Sequence, residues 1–218
     1  MRIMKKYNLL AVLFLLVICS CNDDFMELYP LYSLAPENYF RNEAELKAYT
    51  KSFFSILPDL ANGIYTGYRQ GDDIVQKTVP TEFRSDLRTV PASGGGWTWN
   101  GLRSINFFLA NSQLCPDRTE REKYDGIARF WRALFYFDKL VRFGDVPWYD
   151  NPIEQDDEAA LMQPRLSRGE IFRKMLEDID YAITYAPDER NASHITRWTA
   201  LALKSRMCLF EGTWRKYR

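Results

Sequence analysis

A glycine-rich segment that contains two tryptophans offers the clearest chemistry in this sequence. The segment reads Gly94, Gly95, Gly96, Trp97, Thr98, Trp99 and Asn100. Flat indole faces stack on the apolar faces of sugar rings, and an asparagine amide supplies a donor and an acceptor for hydroxyl groups. Trp97, Trp99 and Asn100 are therefore candidate carbohydrate-binding residues. In the alternative interpretation both indoles pack into a helical core, and Asn100 caps the helix that follows.

Side chains that could carry out catalysis are scarce. The one histidine, His194, lies in a turn just before a helix, and the sequence holds no HExxH or GxSxG motif. Asp72 and Asp73 could suggest a glycosidase, whose two carboxyl groups stand about 5 to 9.5 Å apart across the scissile bond. Neighbouring residues in a glycine-rich loop point apart, so a polar turn or a calcium contact explains this pair better. We predict a protein that is not an enzyme and uses no cofactor.

The amino terminus predicts export and a lipid anchor. A basic start precedes an apolar run at residues 9–18. This run is shorter than the roughly 20 residues with which a helix crosses a bilayer, and it is typical of a cleaved secretory signal. The tetrapeptide that ends at Cys21 resembles a bacterial lipobox, in which cleavage leaves a cysteine to be acylated. We predict a signal peptide at residues 1–20, lipidation of Cys21 and a tether at residues 21–36. A signal anchor with an incidental cysteine is the alternative.

Charge and cysteine content narrow the range of partners. The chain has 29 basic and 29 acidic side chains, so no basic excess is available for binding nucleic acid. Apart from Cys21, the predicted mature chain keeps Cys115 and Cys208, and two isolated cysteines do not make a disulfide framework. We expect both to be unpaired, packed thiols.

Apolar residues recur at helical spacing in five segments, and no segment shows the sustained alternation of a β-strand. The segments are residues 43–57, 98–113, 119–143, 167–186 and 195–211. The longest is apolar on two sides, which predicts that it lies between neighbouring helices. We expect two antiparallel pairs, in which 98–113 packs with 119–143 and 167–186 packs with 195–211. The result is an all-α domain of tetratricopeptide-like helical pairs at residues 37–218, with a long irregular loop at 58–96.

Particular residues are expected to fix the ends of these helices. Capping patterns occur at three helix starts: Thr119 with Glu122, Ser167 with Glu170, and Thr196 or Thr199. Gly144 can adopt the left-handed conformation that ends a helix. Arg129 and Arg132 lie on a mostly apolar helix and must find carboxylates or carbonyl groups, because an unpaired buried charge is strongly destabilising.

Residues 127–147 (IARFWRALFYFDKLVRFGDVP) resemble the SusD/RagB family of surface lipoproteins from Bacteroidetes. The family pattern has a small residue, Arg, an apolar pair, Arg-Ala, aromatic residues and then Phe-Gly-Asp-Val-Pro, and nearly every position is matched. Residues 178–182, 197–206 and 211–217 agree as well, as do the acidic residues that follow Cys21. Family members are much longer, and the chain ends soon after a helix without a capping element. We therefore expect it to be the N-terminal portion of such a protein.

The resemblance implies a non-catalytic lipoprotein of the outer membrane, exposed on the cell surface, that binds a glycan or another nutrient. Its implied partner is a SusC-like TonB-dependent transporter, to which it delivers the ligand. The implied ligand-binding residues are Trp97, Trp99 and Asn100, with Asp72, Asp73 and Arg84 as weaker candidates for hydroxyl contacts. Two alternatives stay open: a helical-repeat scaffold lipoprotein that binds only a partner protein, and an inactive truncated fragment.

Overall fold

A computed structural model describes residues 39–57, 94–153, 156–189 and 193–218. All of these residues belong to one unit, Tyr39–Arg218. The predicted signal peptide and tether lie outside the described residues, as does most of the predicted irregular loop. Four residues singled out from the sequence lie there too, and their roles stay predictions: Cys21, Asp72, Asp73 and Arg84.

Six α-helices form the described part of the chain. In chain order they are α1 (Glu43–Ser52), α2 (Asn100–Asn111), α3 (Arg118–Phe143), α4 (Glu158–Leu161), α5 (Arg168–Tyr185) and α6 (Arg197–Tyr217). Short 3-10 turns, Phe53–Ile56 and Ser112–Leu114, follow α1 and α2 directly. The predicted all-α class is confirmed, and the short helix α4 is an element that the apolar pattern did not predict. None of the described helices combines the length and apolar character that crossing a bilayer requires.

Helix α3 lies at the centre of this arrangement and contacts α1, α2, α5 and α6. Its fully buried side chains include Trp131, Tyr136 and Leu140. The prediction that the longest helix lies between neighbours is confirmed. Both predicted pairs, α2 with α3 and α5 with α6, are in contact, but the most extensive interface joins α3 to α5.

Two of the three predicted capping patterns are present. The Ser167 side chain accepts a hydrogen bond from the amide of Glu170, whose carboxylate accepts one from the Ser167 amide in return, so the pair forms a capping box at the start of α5. Thr196 caps α6 in the same way together with Thr199. Each box pairs amide groups that would otherwise lack partners in the first helical turn.

The third predicted cap is wrong. Helix α3 begins at Arg118 because the Asp117 side chain accepts hydrogen bonds from the amides of Thr119 and Glu120, at 2.9 and 3.1 Å. An extended aspartate is as good a cap as serine or threonine. Asp117 already fills that role, so the Thr119 and Glu122 pattern falls inside the first turns of the helix.

The Phe-Gly-Asp-Val-Pro segment ends α3 and ties it to α5. Gly144 has a positive φ of 73°, which favours glycine, but its ψ of −107° differs from that of the predicted left-handed cap. The Asp145 carboxylate accepts a hydrogen bond of 2.8 Å from the amide of Arg168, the first residue of α5. Val146 forms an isolated antiparallel β-bridge with Leu166. This segment therefore has a structural role, because it holds the start of α5 beside the end of α3.

The two remaining cysteines differ in exposure. Both are free thiols, as predicted; Cys115 is buried and Cys208 is exposed. The expectation of a packed thiol is wrong for Cys208. It follows the buried Met207 directly and lies about 100° further round α6, on the outward face of that helix.

Candidate functional site

The three glycines before Trp97 form the turn that presents the tryptophans. Gly94, Gly95 and Gly96 have φ values of 80°, 62° and 82°, a conformation that other residues adopt only at a cost. The turn closes with a hydrogen bond of 3.2 Å from the Trp97 amide to the Gly94 carbonyl. A Cβ on Gly96 would also lie 3.1 Å from the guanidinium group of Arg142. The backbone of this turn therefore requires glycine.

A buried lysine fastens this turn to the scaffold. The Lys139 Nζ atom, on α3, donates a hydrogen bond of 2.6 Å to the Gly96 carbonyl oxygen. Its side chain passes Phe135, with Nζ 4.8 Å from the ring centre. Burial lowers the pKa of Lys139, because it disfavours the charged ammonium group. Lys139 follows Phe135 and Tyr136 by four and three residues, so it lies on an aromatic face of α3. This spacing was the signal in the sequence, and sequence reasoning did not use it.

The two tryptophans have different surroundings. Trp99 packs against the scaffold, with ring-centre distances of 5.7 Å to Phe135 and 5.4 Å to Tyr149. Trp97 is 38% exposed and lies edge-to-face on Trp99 and Phe143, at 5.1 and 4.8 Å. Trp99 therefore packs largely as the core interpretation expects, whereas Trp97 exposes a large part of its indole to solvent.

Asn100 is the first residue of α2 and is exposed. The alternative in which its side chain caps the helix is wrong. The cap position is occupied by Trp99, and no side chain makes a capping hydrogen bond there. The side-chain amide of Asn100 is therefore available for other partners at the uncapped N-terminus of α2.

One cavity of about 430 Å³ brings the predicted residues of the described part together. Its described lining residues are Trp97, Trp99, Asn100, Leu102, Arg103, Asn106, Pro147, Tyr149, Asn151, Ile153, Leu161, Met162, Gln163 and Arg165. The volume lies within the range of small-molecule sites. The lining combines aromatic and aliphatic surface with the amides of Asn100, Asn106, Asn151 and Gln163. Such a cavity can stack a flat apolar face and hydrogen-bond to polar groups around it.

The far wall of the cavity is held by hydrogen bonds around Tyr149. Its amide donates to the hydroxyl of Tyr136 at 2.6 Å, and its own hydroxyl donates to the Leu161 carbonyl at 3.0 Å. Burial raises the pKa of Tyr136, which keeps this hydroxyl neutral. Asn106 Nδ2 donates to the carbonyl groups of Tyr149 and Asn151, at 2.9 and 3.3 Å. These contacts fix the loop that follows α3 against α2 and α4.

A buried ion pair between α3 and α5 contacts the side chain of Asn106. Arg132 on α3 makes two charged hydrogen bonds to Asp178 on α5, from Nε at 2.6 Å and from Nη2 at 2.7 Å. Its third nitrogen lies 3.4 Å from Asn106 Oδ1. Arg129 Nη1 lies 3.6 Å from the same carboxylate. The prediction that both arginines must find partners is confirmed, and the pairing with Asp178 links the scaffold to the cavity wall.

Sequence reasoning missed most of the cavity wall. Arg103 and Asn106 follow Asn100 on α2 at intervals of three residues, so all three lie near one face of the helix, and this spacing could have revealed them. Tyr149 and Arg165 come from loops on either side of α4. Only the fold brings Tyr149 and Arg165 close to Trp97, and no local sequence pattern predicts this proximity. His194, by contrast, does not line the cavity, and no group of three His, Cys, Asp or Glu side chains among the described residues could hold a metal ion.

Comparisons with known proteins show that this chain is similar in sequence to proteins named SusD-like. No protein-family model matches the chain. It is 24% identical over 237 residues to the SusD-like protein P25 of Formosa agariphila, covering 97% of this chain and 44% of that protein. The SusD-like protein P2 of the same organism is 25% identical over 230 residues, with coverage of 98% and 45%.

The fold is similar to that of a solved SusD-like protein. The crystal structure of a SusD-like protein from Bacteroides fragilis superposes with a TM-score of 0.66 at 23% identity, covering 86% of this chain and 39% of that one. The resemblance to SusD-like proteins drawn from residues 127–147 is confirmed, and so is the tetratricopeptide-like helical fold. The chain spans less than half the length of the relatives that it matches.

Proposed function

We propose that this chain is the ligand-binding part of a non-catalytic cell-surface lipoprotein, which captures a glycan and delivers it to a SusC-like TonB-dependent transporter. The observation that carries the proposal is the cavity in which Trp97, Trp99 and Asn100 meet. The similarity to SusD-like proteins supports the same conclusion.

Stacking and hydrogen bonding would provide the capture. Trp97 is 38% exposed, and Trp99 adds a second indole that its neighbours hold in place. The amides of Asn100, Asn151 and Gln163 surround these rings and suit sugar hydroxyls. Glycosidases need two carboxyl groups around the scissile bond. The described lining residues include no carboxylate, which favours binding over hydrolysis.

Binding measurements with a tryptophan variant test this proposal. The purified chain is titrated with a panel of neutral and acidic polysaccharides, and Trp97→Ala is compared with Trp198→Ala. Trp198 is a matched control because it is exposed on α6 and does not line the cavity. We expect Trp97→Ala to weaken binding by more than about tenfold, since buried aromatic anchors dominate binding energy. Polysaccharide binding that survives both Trp97→Ala and Trp99→Ala would show that this cavity does not hold the sugar, whereas no binding by the unaltered chain would favour the alternative of a scaffold that binds only protein partners.

The membrane anchor is tested separately. Cells that express the chain are grown with radiolabelled palmitate, which we expect to label the wild type and Cys19→Ala but not Cys21→Ala. Cys19 is the matched control, since the predicted cleavage removes it. Two acyl chains would give a stable anchor, whereas one gives marginal binding of about 10⁴ M⁻¹. Protease added to intact cells should digest the lipidated chain, and protection from it would contradict surface exposure.

A further inference from the structure

We infer that the ligand of this cavity carries negative charge, as a carboxylate or sulfate group on a sugar. The inference rests on the proposed glycan-binding function and names the chemical class of the glycan. Its basis is the charge of the cavity lining. Two arginines, Arg103 and Arg165, line the cavity, and none of its described lining residues is acidic.

Both guanidinium groups are available to a ligand. Arg103 and Arg165 are exposed, and within the described part of the chain neither makes an ion pair with a carboxylate. In contrast, Arg132 uses its guanidinium group for Asp178, and Arg168 uses its own for Glu211 at 2.8 Å. Among the described residues, therefore, no carboxylate pairs with the two guanidinium groups at the cavity.

The two arginines lie beside the groups that would bind the sugar ring. The Arg165 guanidinium carbon is 5.3 Å from the centre of the Trp97 ring, so a charged substituent on a sugar held against this indole comes within its reach. Arg103 follows Asn100 by three residues on α2, which brings both side chains to one face of that helix. Stacking, hydroxyl recognition and charge recognition thus meet in one place.

The start of α2 adds to the positive potential. The first-turn amides of a helix carry partial positive charge, which favours anions. This end of α2 opens at Asn100, and no side chain caps it. Guanidinium groups bind carboxylate and sulfate through paired hydrogen bonds, which is the geometry that an acidic sugar offers.

Two matched pairs of glycans separate charge from ring structure. The first pair is polygalacturonate and its fully methyl-esterified form, which share a backbone and differ in the free carboxylate. The second is dextran sulfate and unmodified dextran, which differ in the sulfate. Each is titrated into the full purified chain, into the double variant Arg103→Gln with Arg165→Gln, and into Arg118→Gln as control. Arg118 is exposed at the start of α3 and lies outside the cavity.

We expect an acidic glycan to bind at least about tenfold more tightly than its uncharged counterpart. We also expect the double variant to remove most of that preference, and Arg118→Gln to leave it unchanged. The preference should decline as salt is raised. The acidic member that binds shows whether the group is a carboxylate or a sulfate. Replacing both arginines by lysine should restore part of the preference, which a purely structural role would not predict.

Three outcomes would overturn the inference. Equal binding of an uncharged glycan, lost in Trp97→Ala but not in the double arginine variant, would refute the charge preference and leave the proposed function standing. Acidic binding that the double variant does not weaken would refute it as well. If none of the four glycans binds, the inference fails, and the wider panel of neutral and acidic polysaccharides then decides whether the proposed function fails as well.

Discussion

Two groups of arginines in this molecule lie in opposite surroundings, one buried and paired, the other exposed at the cavity. Arg132 is buried between α3 and α5, and the Asp178 carboxylate holds it at two points. Arg103 and Arg165 line the cavity, are exposed, and make no ion pair among the described residues. A buried guanidinium group must be paired because its desolvation is costly, whereas water solvates an exposed one, which needs no partner within the protein. The buried arginine therefore stabilises the fold, and the exposed pair is the one to which we attribute ligand binding.

The tryptophans divide in the same way. Trp131 is buried in the core, and Trp148 is buried against Tyr136, with the two rings stacked at 4.1 Å. Trp97 keeps 38% of its surface exposed beside the cavity. Trp99 stands between these extremes, since it packs on the scaffold and lines the cavity as well. Composition alone could not separate an aromatic that folds the chain from one that meets a ligand.

The largest effect is expected for the buried arginine. Arg132→Leu leaves the Asp178 charge buried without its main partner, so the free energy of unfolding should fall by about 3–5 kcal/mol. Arg103→Leu should change it by less than about 0.5 kcal/mol, because that side chain is exposed. Urea unfolding of both variants measures the difference.

The double variant Arg132→Leu with Asp178→Leu sharpens this result. It removes both charges, so it should recover part of the lost stability, as replacement of buried ion pairs by apolar residues often does. Equal losses for Arg132→Leu and Arg103→Leu would break the comparison between the two groups of arginines.

A smaller effect should separate the two tryptophans of the cavity. Trp99→Ala removes contacts with Phe135 and Tyr149 and should cost about 2 kcal/mol of unfolding free energy, less than a fully buried tryptophan would. Trp97→Ala should cost less than about 1 kcal/mol, because much of its indole faces solvent. Thermal or urea unfolding measures both. A greater loss of stability for Trp97→Ala would mean that Trp97 is a core residue.

The smallest effect concerns the lysine that holds the glycine turn. Burial lowers the pKa of Lys139 below its ordinary value of 10.5, so between the two values the unfolded chain binds its proton more tightly than the folded chain. The contribution of this group to the unfolding free energy should therefore rise as pH increases through that window.

Lys139→Met removes the titrating group and should flatten this pH dependence, as measured by urea unfolding at a series of pH values up to about 10.5. Lys139→Arg is the matched control, since a guanidinium keeps its charge throughout the range. An unchanged slope in Lys139→Met would show that another group causes the dependence.

The helices could be predicted because apolar spacing records which face of each helix is buried. The capping boxes at Ser167 and Thr196 could be predicted as well, since the two partners in each box lie three residues apart in the sequence. The interface between α3 and α5 was not, because helix pairing depends on the fit of surfaces far apart in sequence. The cap at Asp117 was missed because two residues with capping ability stood close together and only one could serve.

The candidate site was predictable only in part. The segment from Gly94 to Asn100 could be recognised from the sequence, because its glycines and tryptophans lie next to each other. Tyr149 and Arg165 reach the same cavity from loops some 50 to 70 residues further along the chain. The position of Lys139 on an aromatic helix face could have marked this residue, but its partner is a backbone carbonyl 43 residues earlier, which no local pattern identifies.

The central position of α3 also bears on how the described unit comes apart. In an ordinary repeat array each repeat touches only its neighbours, so the ends can fray while the middle persists. Here one helix contacts four others, and detaching any of them uncovers its apolar surface. Melting should therefore be a single cooperative transition, in which calorimetric and van't Hoff enthalpies coincide.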